Sequence, residues 1–172
     1  MALFSEVLGE YLAEDLRCLL EGVQLTGCKL DMDKRVLSGE LFSEKYIARE
    51  DIVKVEQSLK KVLRLNSCAF NTKFEDFSLC SKACRDITEE LRLKNVALNG
   101  YFNSAEFDLQ GEDLTITLKF GGYNTISGND FEKKFNDICR KKFGRIVNIR
   151  FEGQLENIEM ELPPPEPPQF QS

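Results

Sequence analysis

The sequence predicts an α+β fold in which one small unit, helix–β-hairpin–helix–strand, occurs twice and a proline-rich tail follows. Three observations carry that prediction. Apolar residues recur at spacings of three and four in some stretches and at two in others, so helices and strands alternate. The order of these stretches in residues 1–74 is repeated in residues 75–155. All five prolines of the 172 residues lie after Leu162, so the chain before them contains none.

In order, Phe4, Val7, Leu8, Tyr11, Leu12, Leu16 and Leu19 form the stripe of an amphipathic helix. Ser5 is its expected N-cap, with Glu6 near the positive end of the helix dipole. Two strands follow, around Val23–Met32 and Val36–Phe42, joined by the polar turn Asp31-Met32-Asp33-Lys34. A second helix turns Ile52, Val55, Leu59, Val62 and Leu63 inward, with Lys54, Glu56, Lys60 and Lys61 outside. Ser67–Phe74 is a short strand.

The second unit opens with a helical stripe of Phe77, Cys80, Cys84, Ile87 and Leu91. A hairpin follows, with Phe107 and Leu109 before the turn Gln110–Asp113 and Leu114, Ile116, Leu118 and Phe120 after it. Thr115, Thr117 and Lys119 alternate outward, so one sheet face is buried and the other wet. A Gly/Asn/Ser loop over 121–128 leads to a helix with Phe131, Phe135, Ile138 and Cys139 inward, ended by Gly144. In the last strand Val147, Ile149 and Phe151 point in, and Asn148 and Arg150 point out.

Lys54–Phe74 and Lys133–Phe151 both read as basic helix, short turn, alternating strand and terminal Phe. Each unit is therefore a three-stranded sheet with helices on one face. The boundaries are 1–74 for the first unit, 75–155 for the second and 156–172 for an acidic, proline-rich linker. At roughly seventy to eighty residues, each unit is near the lower size at which one core holds. Packing of one on the other would add stability. The prolines favour extended polyproline II, and ending in such a linker points to a piece of a longer chain.

Composition narrows the function. The chain has no His, which removes Ser-His and Cys-His nucleophilic pairs, the commonest general base and the commonest transition-metal ligand. No carboxylate cluster has metal-site spacing, and the glycines of 121–128 lack the pattern of a phosphate loop. Catalytic residues, metal and cofactors are accordingly expected to be none. The six cysteines are spread apart except Cys80 and Cys84, whose spacing of four is that of a helix face. They read as free thiols of a reducing cytosol. No apolar run is long enough to span a membrane, and the start lacks the basic and apolar regions of a secretory signal. A cytoplasmic location follows as an expectation.

Net charge is −6, which disfavours whole-molecule attraction to nucleic acid. Locally, Lys133, Lys134, Arg140, Lys141, Lys142 and Arg145 form a basic cluster on and after one helix, diluted by Asp130, Glu132 and Asp137. It reads as a solvated face, as a protein-partner surface, or as a nucleic-acid surface assisted by the nearby aromatics Tyr101, Phe102, Phe120 and Tyr123. The segment order also resembles K-homology modules, which clamp the phosphate backbone with a Gly-x-x-Gly loop between two helices. No such motif is present.

Two stretches, Val36–Phe74 and Ser104–Phe151, resemble the two small N-terminal domains of PolC-type bacterial DNA polymerase III. In that family a Leu-x-Ile-x-Leu strand follows a polar glycine turn, matched here by Phe107–Ile116 with its turn at Gln110-Gly111-Glu112-Asp113. A helix ending in Phe-Gly then precedes a strand with a final Phe, matched by Phe143-Gly144 and Val147–Phe151. The resemblance implies a fold like a type II K-homology domain, shortened in the first unit. It implies a replicative polymerase of low-GC Gram-positive bacteria whose polymerase and proofreading exonuclease regions lie outside these residues. The implied role is docking, with the tau subunit of the clamp loader as partner. The alternative is a nucleic-acid-binding module that touches DNA through the Lys133–Arg145 face.

Overall fold

The computed structural model of the protein describes residues 1–156; the proline-rich stretch lies outside the described residues. Short elements open the chain: strand β1 (Ala2–Leu3), helix α1 (Phe4–Val7), a 3-10 turn at Gly9–Tyr11 and helix α2 (Glu14–Leu19). The continuous first helix expected from the stripe is thus broken into pieces. Phe4, Leu8, Leu12 and Leu20 are buried, whereas Val7, Tyr11 and Leu19 face solvent. Gly9 sits at the break, and the Arg17 stem lies alongside it. The Arg17 guanidinium then donates to the Leu12 carbonyl at 3.3 Å. The cap also differs from expectation: it is Leu3, not Ser5, because β1 delivers the Phe4 N–H to the Val23 carbonyl at 2.9 Å.

Strands β2 (Gln24–Asp31) and β3 (Val36–Ser43) form an antiparallel hairpin, and its turn is held by the Lys34 N–H donating to Asp31 Oδ1 at 2.9 Å. Helix α3 (Arg49–Val62) crosses over to β4 (Ser67–Phe74), which pairs parallel with β3 in unbroken register from Val36↔Ser67 to Ser43↔Phe74. A parallel partner needs such a crossover. The sheet order is β1-β2-β3-β4, so β1 adds an edge strand that the three-stranded expectation did not include. Gly39 has a steric role here: a Cβ would lie 2.8 Å from the Phe70 ring and 2.9 Å from the Gly27 carbonyl.

The second half repeats the topology. Helix α4 (Ser81–Lys94) precedes the hairpin β5 (Glu106–Gln110) and β6 (Asp113–Leu118), and β7 (Asn148–Gly153) pairs parallel with β6. Between β6 and β7 lie two helices, α5 (Tyr123–Gly128) and α6 (Phe131–Phe143). The expected loop over 121–128 is therefore mostly helix. Gly121 and Gly122 turn the chain at positive φ, and Ile126 anchors α5 in the core. Phe77, expected in the α4 stripe, is exposed on a 3-10 turn closed by Ser78 donating to the Glu75 carbonyl. Phe120, expected to face in, is half-exposed just past the end of β6. Gly144 ends α6 as expected, in the left-handed conformation with its N–H on the Arg140 carbonyl at 2.9 Å.

The buried side chains of both halves form one continuous cluster. The seam is aromatic: the Phe143 ring of α6 stacks on Phe74 of β4 at 5.1 Å and lies 6.1 Å from Tyr46. Around it, the Tyr46 hydroxyl donates to Asp86 of α4, and the Arg49 N–H at the start of α3 donates to the same carboxylate oxygen at 3.2 Å. Lys82 pairs with Glu50 across the seam at 3.1 Å. Units this small gain core by sharing one.

Candidate interaction surface

Helix α6 has two distinct faces. Phe131, Phe135, Cys139 and Phe143 recur at four and are buried, with Phe131 stacked on Phe102 at 5.0 Å. Opposite them, Lys133, Lys134, Arg140 and Lys141 are exposed, and among the described residues none has a carboxylate within 4.0 Å. Asp137 lies between these four at helical spacings of three and four.

The two remaining members of the basic cluster are spent within the molecule. Lys142 is half-buried with its Nζ 3.3 Å from Glu90. Burial works to raise the Glu90 carboxyl, but Lys94 at 2.7 Å and Lys142 outweigh it and hold the group below its ordinary range. The Arg145 guanidinium donates to the Gly111 carbonyl at 2.8 Å and the Asp76 carbonyl at 3.4 Å. It thereby ties the β5–β6 turn to the segment before α4.

The aromatics near the cluster are mostly packed. Phe102 is buried, Tyr101 lies against Gly122, and Tyr123 meets Phe151 edge-on at 5.5 Å. Phe120 alone of the four is exposed. The connection between α5 and α6 is Asn129-Asp130, with Asp130 at φ 54. Asn129 donates to the Thr125 carbonyl at 2.7 Å and accepts from Asn95 at 3.0 Å, so the turn is pinned at both sides.

Beside the cationic face runs an apolar groove of about 310 Å³, floored by Leu91, Leu98, Phe131 and Ile138. Lys94, Lys134 and Asp137 stand on its rim, and Leu93 and Val96 are exposed nearby at 75% and 81%. One wall comes from Val96–Leu98, a 3-10 turn capped by Asn95 accepting from the Ala97 N–H at 3.1 Å. The helical stripes alone do not show this groove. The signal was the apolar Val96-Ala97-Leu98 placed straight after the α4 stripe, outside any helix or strand pattern.

A larger depression of about 530 Å³ lies at the seam, lined by Cys18, Lys45, Tyr46, Asp51 and Lys82 among others. Three of its polar heads are engaged, Tyr46 with Asp86, Lys82 with Glu50, and Asp51 with Lys54 at 2.9 Å, while Lys45 and Glu21 have no ion-pair partner among the described residues. Among the described residues no group of three or more His, Cys, Asp or Glu is placed to hold a metal, and no helix is long and apolar enough to cross a membrane. All six cysteines are free thiols. Comparison with protein-family models, with curated proteins and with solved structures returned no match.

Proposed function

We propose that this chain is the non-catalytic N-terminal interaction region of a PolC-type replicative DNA polymerase. It docks replisome proteins in the cytoplasm, the clamp-loader tau subunit first among them. The observation that carries this reading is the doubled topology. In each half a hairpin receives a third strand parallel to its second strand, after a helical crossover. The second half, with its order α4–β5–β6–α5–α6–β7, is read as a type II K-homology-like unit and the first as its shortened copy. A small scaffold of this kind binds through a few buried anchors surrounded by polar rim contacts. Isothermal titration of the 172-residue chain with the C-terminal region of tau tests it. A saturable heat with a dissociation constant of tens of micromolar or tighter is expected; no heat at that concentration contradicts it.

The four exposed cations of α6, without an ion-pair partner among the described residues, favour a second reading, nucleic-acid binding. Of the net charge of −6, four units come from Glu156, Glu159, Glu161 and Glu166, so residues 1–155 are near neutral and do not repel DNA strongly. Against it stand Asp137 amid the cations and Asp130 in the α5–α6 connection, where K-homology modules clamp phosphate. Four phosphate contacts to a single strand predict an affinity loss of about 50-fold between 50 and 200 mM salt. A fluorescence titration with single-stranded DNA at those two concentrations separates the readings.

A further inference from the structure

We infer that the groove between α4 and α6 seats an acidic amphipathic helix of a protein partner. The inference rests on the docking reading and specifies the partner's chemistry. Its first support is the floor. Half-buried Ile138 presents apolar surface over a buried base of Leu91, Leu98 and Phe131, in a space of about 310 Å³, the bottom of the range for small-ligand clefts. That volume suits one or two side-chain anchors of a larger partner, not an enclosed small molecule.

The second support is charge. Lys134 stands on the rim, and Lys133, Arg140 and Lys141 lie on the same helix, all four without an ion-pair partner among the described residues. Asp137 is the one carboxylate in the lining, while Lys94 is already held by Glu90. The excess is cationic, so the complementary occupant carries carboxylates flanking its apolar anchors, which steers association and fixes register. Third, the groove lies alongside a helix. From Phe131 to Ile138 it follows α6 for about 10 Å, or two turns, the span from i to i+7 of a docked helix.

The probe is a fluorescein-labelled peptide with Leu at i, i+4 and i+7 and Glu between them, titrated with the full chain and read by anisotropy. Saturable binding is expected. Ile138→Glu, which puts a carboxylate on the floor, and Lys134→Glu, on the exposed rim, should each weaken it by about tenfold. A peptide with Lys in place of Glu should bind Lys134→Glu better than the unaltered chain. Thermal melts establish that both variants fold. Equal affinity for a peptide of scrambled order, indifference to both variants, or tighter binding of a single-stranded oligonucleotide overturns the inference. If tau gives heat that Ile138→Glu leaves unchanged, docking stands and the groove assignment falls. If the peptide binds at the groove and tau gives no heat, the groove stands and the tau partner falls.

Discussion

Asp86 belongs to α4, yet it caps α3. Its carboxylate accepts from the Arg49 N–H and from the Tyr46 hydroxyl, whose acidity burial and that bond suppress well below the usual for a phenol. Asp86→Ala removes a helix cap and leaves a half-buried hydroxyl unpaired, and should cost about 2 kcal/mol in urea unfolding; Asp86→Asn should recover most of it. A change under about 0.5 kcal/mol would refute the role. Glu56 shows how a residue escapes pattern reading. Positions 52, 55, 56 and 59 share one helix face, but a carboxylate is read outward by its charge. The structure buries it, with Arg49 at 3.1 and 3.2 Å and the Phe70 N–H at 2.8 Å supplying the partners. Those partners come from seven residues upstream and from another strand, which no helical stripe reveals. The thiols give a pH prediction. Burial pushes Cys84 up to about 12 and Cys139 up to about 11. The folded state keeps these protons after the unfolded chain starts to lose them near pH 8.5. Stability is therefore full below that value and declines as pH rises through the folded values. Urea midpoints at pH 7.5 and pH 10 should show the decline, and Cys84→Ala should flatten it while lowering both.

At the scale of elements, alternation and strong stripes were legible. Ser67–Phe74 is a strand with the bounds that the sequence predicts, and Thr115 and Thr117 do alternate with buried Leu114, Ile116 and Leu118. What failed was helix continuity, because a stripe does not register the cost of Gly9 or a side chain such as Arg17 folding back across it. Helix α5 was hidden for a related reason: glycines read as loop, whereas Gly122 is there to let Tyr101 lie flat against the backbone. A Cβ at Gly122 would fall 2.0 Å from the Tyr101 ring, and the residue sits at φ 94. Gly122→Ala should cost at least about 2 kcal/mol. In a Tyr101→Ala background the same change should cost about 1 kcal/mol, the conformational part alone. Equal costs in both backgrounds would contradict the close approach. The candidate surface was half legible. All six cluster residues were named from the sequence, but the division into two internal ties and four cations without a partner among the described residues depends on Glu90, Asp76 and Gly111, each distant in sequence.

For the whole molecule, the repeated order of elements was legible and the shared core was not, because Tyr46, Phe74 and Phe143 meet only across the seam. One core predicts one transition: tyrosine fluorescence and far-ultraviolet circular dichroism should give coincident urea curves. Phe143→Ala should shift both by about 3 kcal/mol. Two separated transitions would mean independent halves. The docking account is tested most directly by nuclear magnetic resonance of the isotope-labelled chain titrated with the tau C-terminal region. The account predicts shifts concentrated at Leu91–Leu98 and Phe131–Lys141. Spectra that do not move with tau, but move at those same residues with single-stranded DNA, would contradict it.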